Sequence, residues 1–164
     1  MIRPTRHVVA TVDEITPGTR KIVDVAGRSI GVYNIGGDFF AIRNRCPHQG
    51  GPLCEGRISG FVQSSSPGEY QYSRPGEVVR CPWHGWEYDI KTGQSWIDPR
   101  TVRVRSYVVE IASAEDLAKA ARDGSIATID PPPAGMEGLV KGPYVAETFP
   151  VFIEQQYVLV EIGT

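Results

Sequence analysis

Short runs of β-branched and aromatic residues, cut by turn residues, fill the first part of the chain. HVVATVD (7–13), RKIVDVA (20–26), RSIGVYN (28–34) and DFFAIRN (38–44) are punctuated by Ile15-Thr16-Pro17-Gly18, Ala26-Gly27 and Gly36-Gly37-Asp38. This short, regular spacing predicts an antiparallel meander. A Gly- and Pro-rich loop, RNRCPHQGGPLCEG (43–56), leads to a second strand set at 57–63 and 76–80. Between those strands SSSPGEYQYSRP (64–75) is polar and turn-rich and reads as an inserted hairpin or excursion. A second loop, CPWHGW (81–86), runs into EYDI and a turn at Lys91-Thr92-Gly93, and TVRVRSYVVEI (101–111) reads as one strong strand.

The period then changes. Ser113-Ala114-Glu115-Asp116 resembles a capping box, AEDLAKAAR (114–122) is built of good helix formers, and Gly124 sits where a helix would stop. ATIDPPPAGMEGLVKG (127–142) reads as an irregular connection. FPVFIE (149–154) and QYVLVEI (156–162) read as a closing hairpin that turns near Gln155-Gln156. No internal repeat and no second domain shows, so residues 1–164 are read as a single domain. The pattern is all-β with one short inserted helix.

Composition narrows the function classes. The 18 glycines and 13 prolines suit turns and short strands. The formal charge is −2 with no block of like charges, which argues against nucleic acid as a partner. No stretch approaches the roughly 20 apolar residues of a membrane helix. The N-terminal MIRPTRHVVATVDEI lacks an apolar leader, a twin arginine and a cleavage site, so a soluble cytoplasmic protein is expected.

Three cysteines, Cys46, Cys54 and Cys81, are a poor disulfide framework and more consistent with metal binding. Cys-x-His at 46–48 and Cys-x-x-His at 81–84 each bring one sulfur and one nitrogen to a loop. Iron and zinc both accept such ligands. Zinc sites usually pair cysteines in one half and histidines in the other, whereas each half here is mixed. Two mixed halves side by side allow two sulfurs on one metal and two nitrogens on its neighbour, the division that defines a Rieske centre.

CPHQGGPLCEGRISG followed by CPWHGWEYDIKTG resembles the Rieske domain of bacterial ring-hydroxylating systems and their Rieske ferredoxins, over roughly residues 7–110. The resemblance implies an antiparallel β-sandwich with a small cluster-binding subdomain, here about 43–99, and one [2Fe–2S] cluster. It implies Cys46 and Cys81 on one iron and His48 and His84 on the other, with both histidines at an exposed tip. Two ferric ions, two sulfides and two thiolates then sum to zero, and reduction adds one negative charge. Two stretches exceed the family pattern, about 64–75 and 112–142.

The neighbours of the ligands carry further expectations. Respiratory Rieske proteins join their loops by a disulfide; Gly51 and Trp83 stand at those positions, and Cys54 has no mate. High-potential members place a serine hydroxyl where Trp86 stands. A potential near the low end of the Rieske range, about −150 mV, is therefore expected. Tyr88 is a candidate donor to the cluster, Trp83 and Trp86 candidate shields against water, and Asp98-Pro99 a candidate covering loop. The resemblance implies a one-electron carrier without catalytic residues of its own, passing electrons from a flavin-dependent reductase to a terminal oxygenase. A small redox subunit held permanently by another enzyme is the alternative. An oxygenase is disfavoured, because the cluster uses two of three histidines and leaves only His7.

Overall fold

The computed structural model describes residues 5–126 and 155–163. Among the described residues ten strands make three antiparallel sheets. The first contains β1 (Thr5–Thr11), β10 (Gln156–Ile162) and β9 (Val109–Ser113), in that order. The second is the meander β2 (Arg20–Val25), β3 (Arg28–Ile35), β4 (Asp38–Arg43), with β8 (Ser106–Tyr107) on its edge. The third is β5 (Arg57–Ser66), β6 (Glu69–Arg80) and β7 (Glu87–Asp89).

The meander sheet lies between two cores, and the alternation of side chains along a strand explains how. On β3, Ile30 and Val32 face a cluster with Ile15, Ala41, Val158 and Val160. Tyr33 points the other way, into a cluster with Ile42, Leu53, Cys54, Val79 and Tyr88. Both faces of β3 are therefore covered, and residues 30–34 are all buried. The first core joins the meander to the β1-β10-β9 sheet. The second joins it to the β5-β6-β7 sheet and reaches Cys46 and Cys81.

Two cramped positions tie the second core together. A Cβ placed on Gly31 would stand 2.6 Å from the Cys54 sulfur, so the missing side chain on β3 is the space the thiol fills. Cys54 is fully buried, and burial pushes its thiol up to about 11. It is a packing residue, as a small apolar side chain would be. A Cβ on Gly56 would lie 1.8 Å from the Arg80 carbonyl. That contact sets the chain leaving the first loop against the residue that enters the second.

The predicted strands 7–13, 20–26, 28–34 and 38–44 match β1 to β4 within two residues. The 64–75 stretch is a hairpin, as expected, continuing β5 and β6 outward to a turn at Pro67-Gly68. The helix over 114–122 is present as α1 (Ala114–Arg122), with its box closed: the Asp116 amide donates to Ser113 Oγ at 3.2 Å, and the Ser113 amide to Asp116 Oδ2 at 3.2 Å. The single strand expected over 101–111 is broken. β8 pairs with β4 and β9 with β10, so the chain changes sheets at the exposed Val108. Residues 101–105 run instead beside the turn that follows β7, where the Val104 amide donates to Gly93 O at 2.8 Å. Of the closing hairpin, 156–162 is a strand paired with both β1 and β9, and 149–154 lies outside the described residues.

Arg74 anchors the long hairpin to β7. Its guanidinium bonds Glu77 at 2.7 Å and the carboxylate of Asp89, whose side chain is 6% exposed. Removing one partner of a buried pair costs about 3–5 kcal/mol. Arg74 itself is 35% exposed, which brings the expected loss for Arg74→Ala to about 2 kcal/mol. Urea denaturation, compared with the parent protein, measures it.

Candidate iron–sulfur centre

The two cluster loops are the same backbone device used twice. In the first, the Cys46 amide donates to Gly51 O at 2.8 Å and the Gly50 amide to Cys46 O at 2.8 Å. In the second, the Cys81 amide donates to Trp86 O at 2.8 Å and the Gly85 amide to Cys81 O at 3.0 Å. Each loop thus opens on a cysteine, closes five residues later, and turns back four residues after the cysteine. The turning residue is left-handed in both, with φ of +80° at Gly50 and +73° at Gly85. A residue with a side chain pays about 1–2 kcal/mol for that conformation, which glycine avoids. Proline at the second position, Pro47 and Pro82, gives up an amide in a loop closed by its neighbours. The sequence shows the glycines and prolines; that they are one frame repeated is visible only in the hydrogen bonds.

The loops bring the four ligand candidates together. Cys46 and Cys81 are 2% and 3% exposed and belong to the same buried cluster. Burial first, and then the Cys46 thiol, raise the pKa of Cys81 above the ordinary thiol value. The His48 and His84 rings stand edge to face with centroids 5.0 Å apart. They are not equally open. His84 is exposed, whereas His48 is half-buried, stacked on Trp86 at 4.2 Å and 10°. Of the two histidines expected at an exposed tip, His84 is therefore open and His48 is partly covered.

This donor set suits an iron–sulfur cluster. His48 Nδ1 is buried and has no hydrogen-bond partner among the described residues. Leaving such an atom unsatisfied costs about 1–3 kcal/mol, and a metal bond removes that cost. At Gly51 an added Cβ would stand 3.2 Å from Cys81 Sγ and 2.8 Å from Trp83 Cδ2, so the absent side chain leaves the first loop open to the second. Two thiols and two imidazoles are the ligand types that bind iron in mixed-ligand clusters.

The surrounding residues are placed as follows. The Tyr88 hydroxyl lies 3.3 Å from Cys46 Sγ in a fully buried setting. Burial, and then this contact, raise the Tyr88 pKa far above the ordinary phenol value, so it remains a hydrogen-bond donor. Trp86 covers His48. Trp83 lies over Gly51 but is 57% exposed, a partial shield. Pro99 is exposed, and its carbonyl accepts from Gln94 Nε2 at 3.0 Å, on its own segment. The stretch just before it does pair with β7, through Trp96 N to Glu87 O at 3.0 Å. His7 lies on β1, opposite Val160.

The loop frame makes Gly50 and Gly85 sensitive positions. Gly85→Ala is expected to lose about 1–2 kcal/mol, with no cramped contact to add to it, since the nearest atom to a Cβ there is 4.0 Å away. Gly50→Ala should lose a similar amount. Urea denaturation followed by the visible absorbance of the loaded protein checks both.

Comparison with known proteins identifies the family. The family model described as the Rieske [2Fe-2S] domain matches residues 5–108, well over half of the chain. Ferredoxin CarAc of Metapseudomonas resinovorans is 28% identical over 108 residues, covering 65% of this chain and 86% of that protein. The ferredoxin component of the naphthalene 1,2-dioxygenase/salicylate 5-hydroxylase systems of a Ralstonia species is 26% identical, covering 67% and 90%. Among solved structures, the ferredoxin of carbazole 1,9a-dioxygenase from Nocardioides aromaticivorans IC177 is 28% identical, covers 66% of this chain and 89% of that one, and has a TM-score of 0.48. With its two matched loops and the family match across both of them, the chain belongs to the Rieske [2Fe-2S] domain family.

Proposed function

We propose that this protein is a one-electron carrier, the ferredoxin component of a ring-hydroxylating oxygenase system. Cys46 and Cys81 hold one iron of its cluster, and His48 and His84 hold the other. The observation that carries this reading is the orphaned, buried His48 Nδ1, set beside His84 and a pair of buried thiols. The family match supplies the cluster type, and the names of the relatives supply the system. The cluster, when bound, takes up and gives back one electron. The reading is of one domain over residues 1–164, with the cluster subdomain at about 43–99 and additions at about 64–75 and 112–142, of which 127–142 lies outside the described residues. The partners are a flavin-dependent reductase and a terminal oxygenase. Three unbridged cysteines suit the reducing cytoplasm.

The chain's own residues set the terms of transfer. The loop frames hold the four ligands, Trp86 keeps water from His48, and the open edge of His84 is the exit for the electron. The Tyr88 hydroxyl donates to the Cys46 sulfur and so draws charge from it, which favours the reduced state. No loop disulfide and no serine at position 86 assist, so the potential stays near the low end of the Rieske range, about −150 mV, and a value above about +100 mV would contradict this.

Iron and acid-labile sulfide should be present in equal amounts, about two of each per chain. Cys46→Ser and Cys81→Ser should lose them, and Cys54→Ser should keep them; an iron-free but folded Cys54→Ser protein contradicts the ligand assignment. Tyr88→Phe should lower the potential by about 60 mV, the one-electron equivalent of a hydrogen bond of about 1.4 kcal/mol. Film voltammetry of the two proteins measures that shift. With a reductase and terminal oxygenase of a ring-hydroxylating system, NADH-dependent turnover should stop when this protein is omitted. Product formed by the chemically reduced protein alone would contradict the carrier reading.

A further inference from the structure

Four arginines crowd the outer wall of the first cluster loop. Arg43, Arg45, Arg103 and Arg105 line one open depression together with Cys46 and His48, and no carboxylate lines it. The pairing of Ala41 with Tyr107 and Ile42 with Ser106 runs on to place Arg43 opposite Arg105, whose carbonyl accepts the Arg43 amide at 2.9 Å. Arg43 and Arg45, where the chain leaves β4, and Arg103 and Arg105, where it approaches β8, thus present like charges to one depression from two neighbouring segments.

Such an arrangement is unfavourable in the isolated protein, because like charges directly opposite destabilise a pair of strands. Carboxylates do not offset it. Of the cations elsewhere in the described residues, Arg6 pairs with Glu110, Lys21 with Glu14, Arg74 with Glu77 and Asp89, Arg80 with Glu87, and Lys91 with Glu77. Arg20, Arg28, Arg57, Arg100, Lys119 and Arg122 make no ion pair there, but none of them lines this depression. None of the four arginines has a carboxylate partner among the described residues. Arg103 Nη2 reaches only the Thr92 carbonyl at 3.0 Å, and Arg105 Nη2 the Gly163 carbonyl at 3.5 Å. The Arg45 guanidinium lies along the loop itself, 3.6 Å from where a Cβ on Gly50 would stand. A chain of net charge −2 thus gathers unmatched positive charge beside its candidate electron-transfer site.

We propose that this arginine face docks an acidic surface on a redox partner protein. The proposal rests on the electron-carrier reading for its purpose, not for its chemistry. Guanidinium groups bind carboxylates through two parallel hydrogen bonds and stay charged at all working pH values. Four of them spread over two segments and a loop match several carboxylates on a surface better than one small anion. A partner seated there lies against the loop that carries His48. The contact is of the transient, steered kind, in which charge sets the encounter rate more than the lifetime.

The test uses the cluster-loaded protein and separates binding from electron transfer. An oligo-aspartate peptide should bind in calorimetry at about 20 mM salt and weaken at least about tenfold by about 200 mM, while an oligo-lysine peptide should not bind. The double variant Arg103→Glu/Arg105→Glu should lose the peptide, and Arg103→Lys/Arg105→Lys should keep part of the affinity. Unchanged visible absorbance and circular dichroism in both variants show that the cluster and fold survive. Oxidation of the reduced protein by ferricyanide should slow about tenfold over the same salt range, and oxidation by hexaamminecobalt(III) should speed up. The net charge of −2 alone predicts the opposite signs. Failure of the peptide to bind, displacement of the peptide by inorganic phosphate at equal concentration, or a ferricyanide rate that rises with salt would overturn the proposal. Loss of the carrier reading would show in the omission assay and leave the peptide result unaffected.

Discussion

Everything at the cluster end depends on two loops closing on their own backbones. Each loop spans six residues and is held by two main-chain hydrogen bonds of 2.8–3.0 Å. The closure depends on one glycine per loop at positive φ. With the backbone fixed, one cysteine sits at the buried start of each loop, and the histidine two or three residues later is carried toward the tip. The geometry needs no long-range tether within a loop. It does need the two loops to be set against each other, which the approach of Gly56 to the Arg80 carbonyl and the openness of Gly51 provide.

The rest of the fold serves as a rigid mount. β4 leads into the first loop, the β5-β6 hairpin carries the chain from one loop to the other, and β7 leads away. Because β3 is covered on both faces, the two cores share one sheet, whose strand β3 is buried along most of its length. Tyr88 illustrates the economy of this layout. It belongs to the second core by its ring and reaches the candidate site by its hydroxyl, so one residue both packs the subdomain and contacts the Cys46 sulfur.

The sequence was most legible where one residue type has one physical meaning. Cys-x-His and Cys-x-x-His with glycine close behind are local chemistry, and the structure brings those four side chains together. The meander and the capped helix were legible for the same reason, since alternation, turn residues and a capping box are short-range signals. The break at Val108 was not legible. TVRVRSYVVEI has an unbroken strand composition, and only the competition of β4 and β10 for its backbone divides it. The covering of His48 by Trp86 and the arginine face were hidden likewise. Arginines at alternate positions on two segments acquire meaning only once the segments are seen to be neighbours; the pair of Arg-x-Arg patterns flanking the loops was the available signal.

The central claim is that both histidines, one open and one covered, bind the same iron. Electron spin echo envelope modulation of the dithionite-reduced protein, grown with either natural or nitrogen-15 histidine, tests it most directly. The account predicts two distinct, strongly coupled histidine nitrogens, both shifted by the isotope, and loss of one coupling in each of His48→Cys and His84→Cys. A reduced cluster with no directly coupled histidine nitrogen, or with only one, would contradict it.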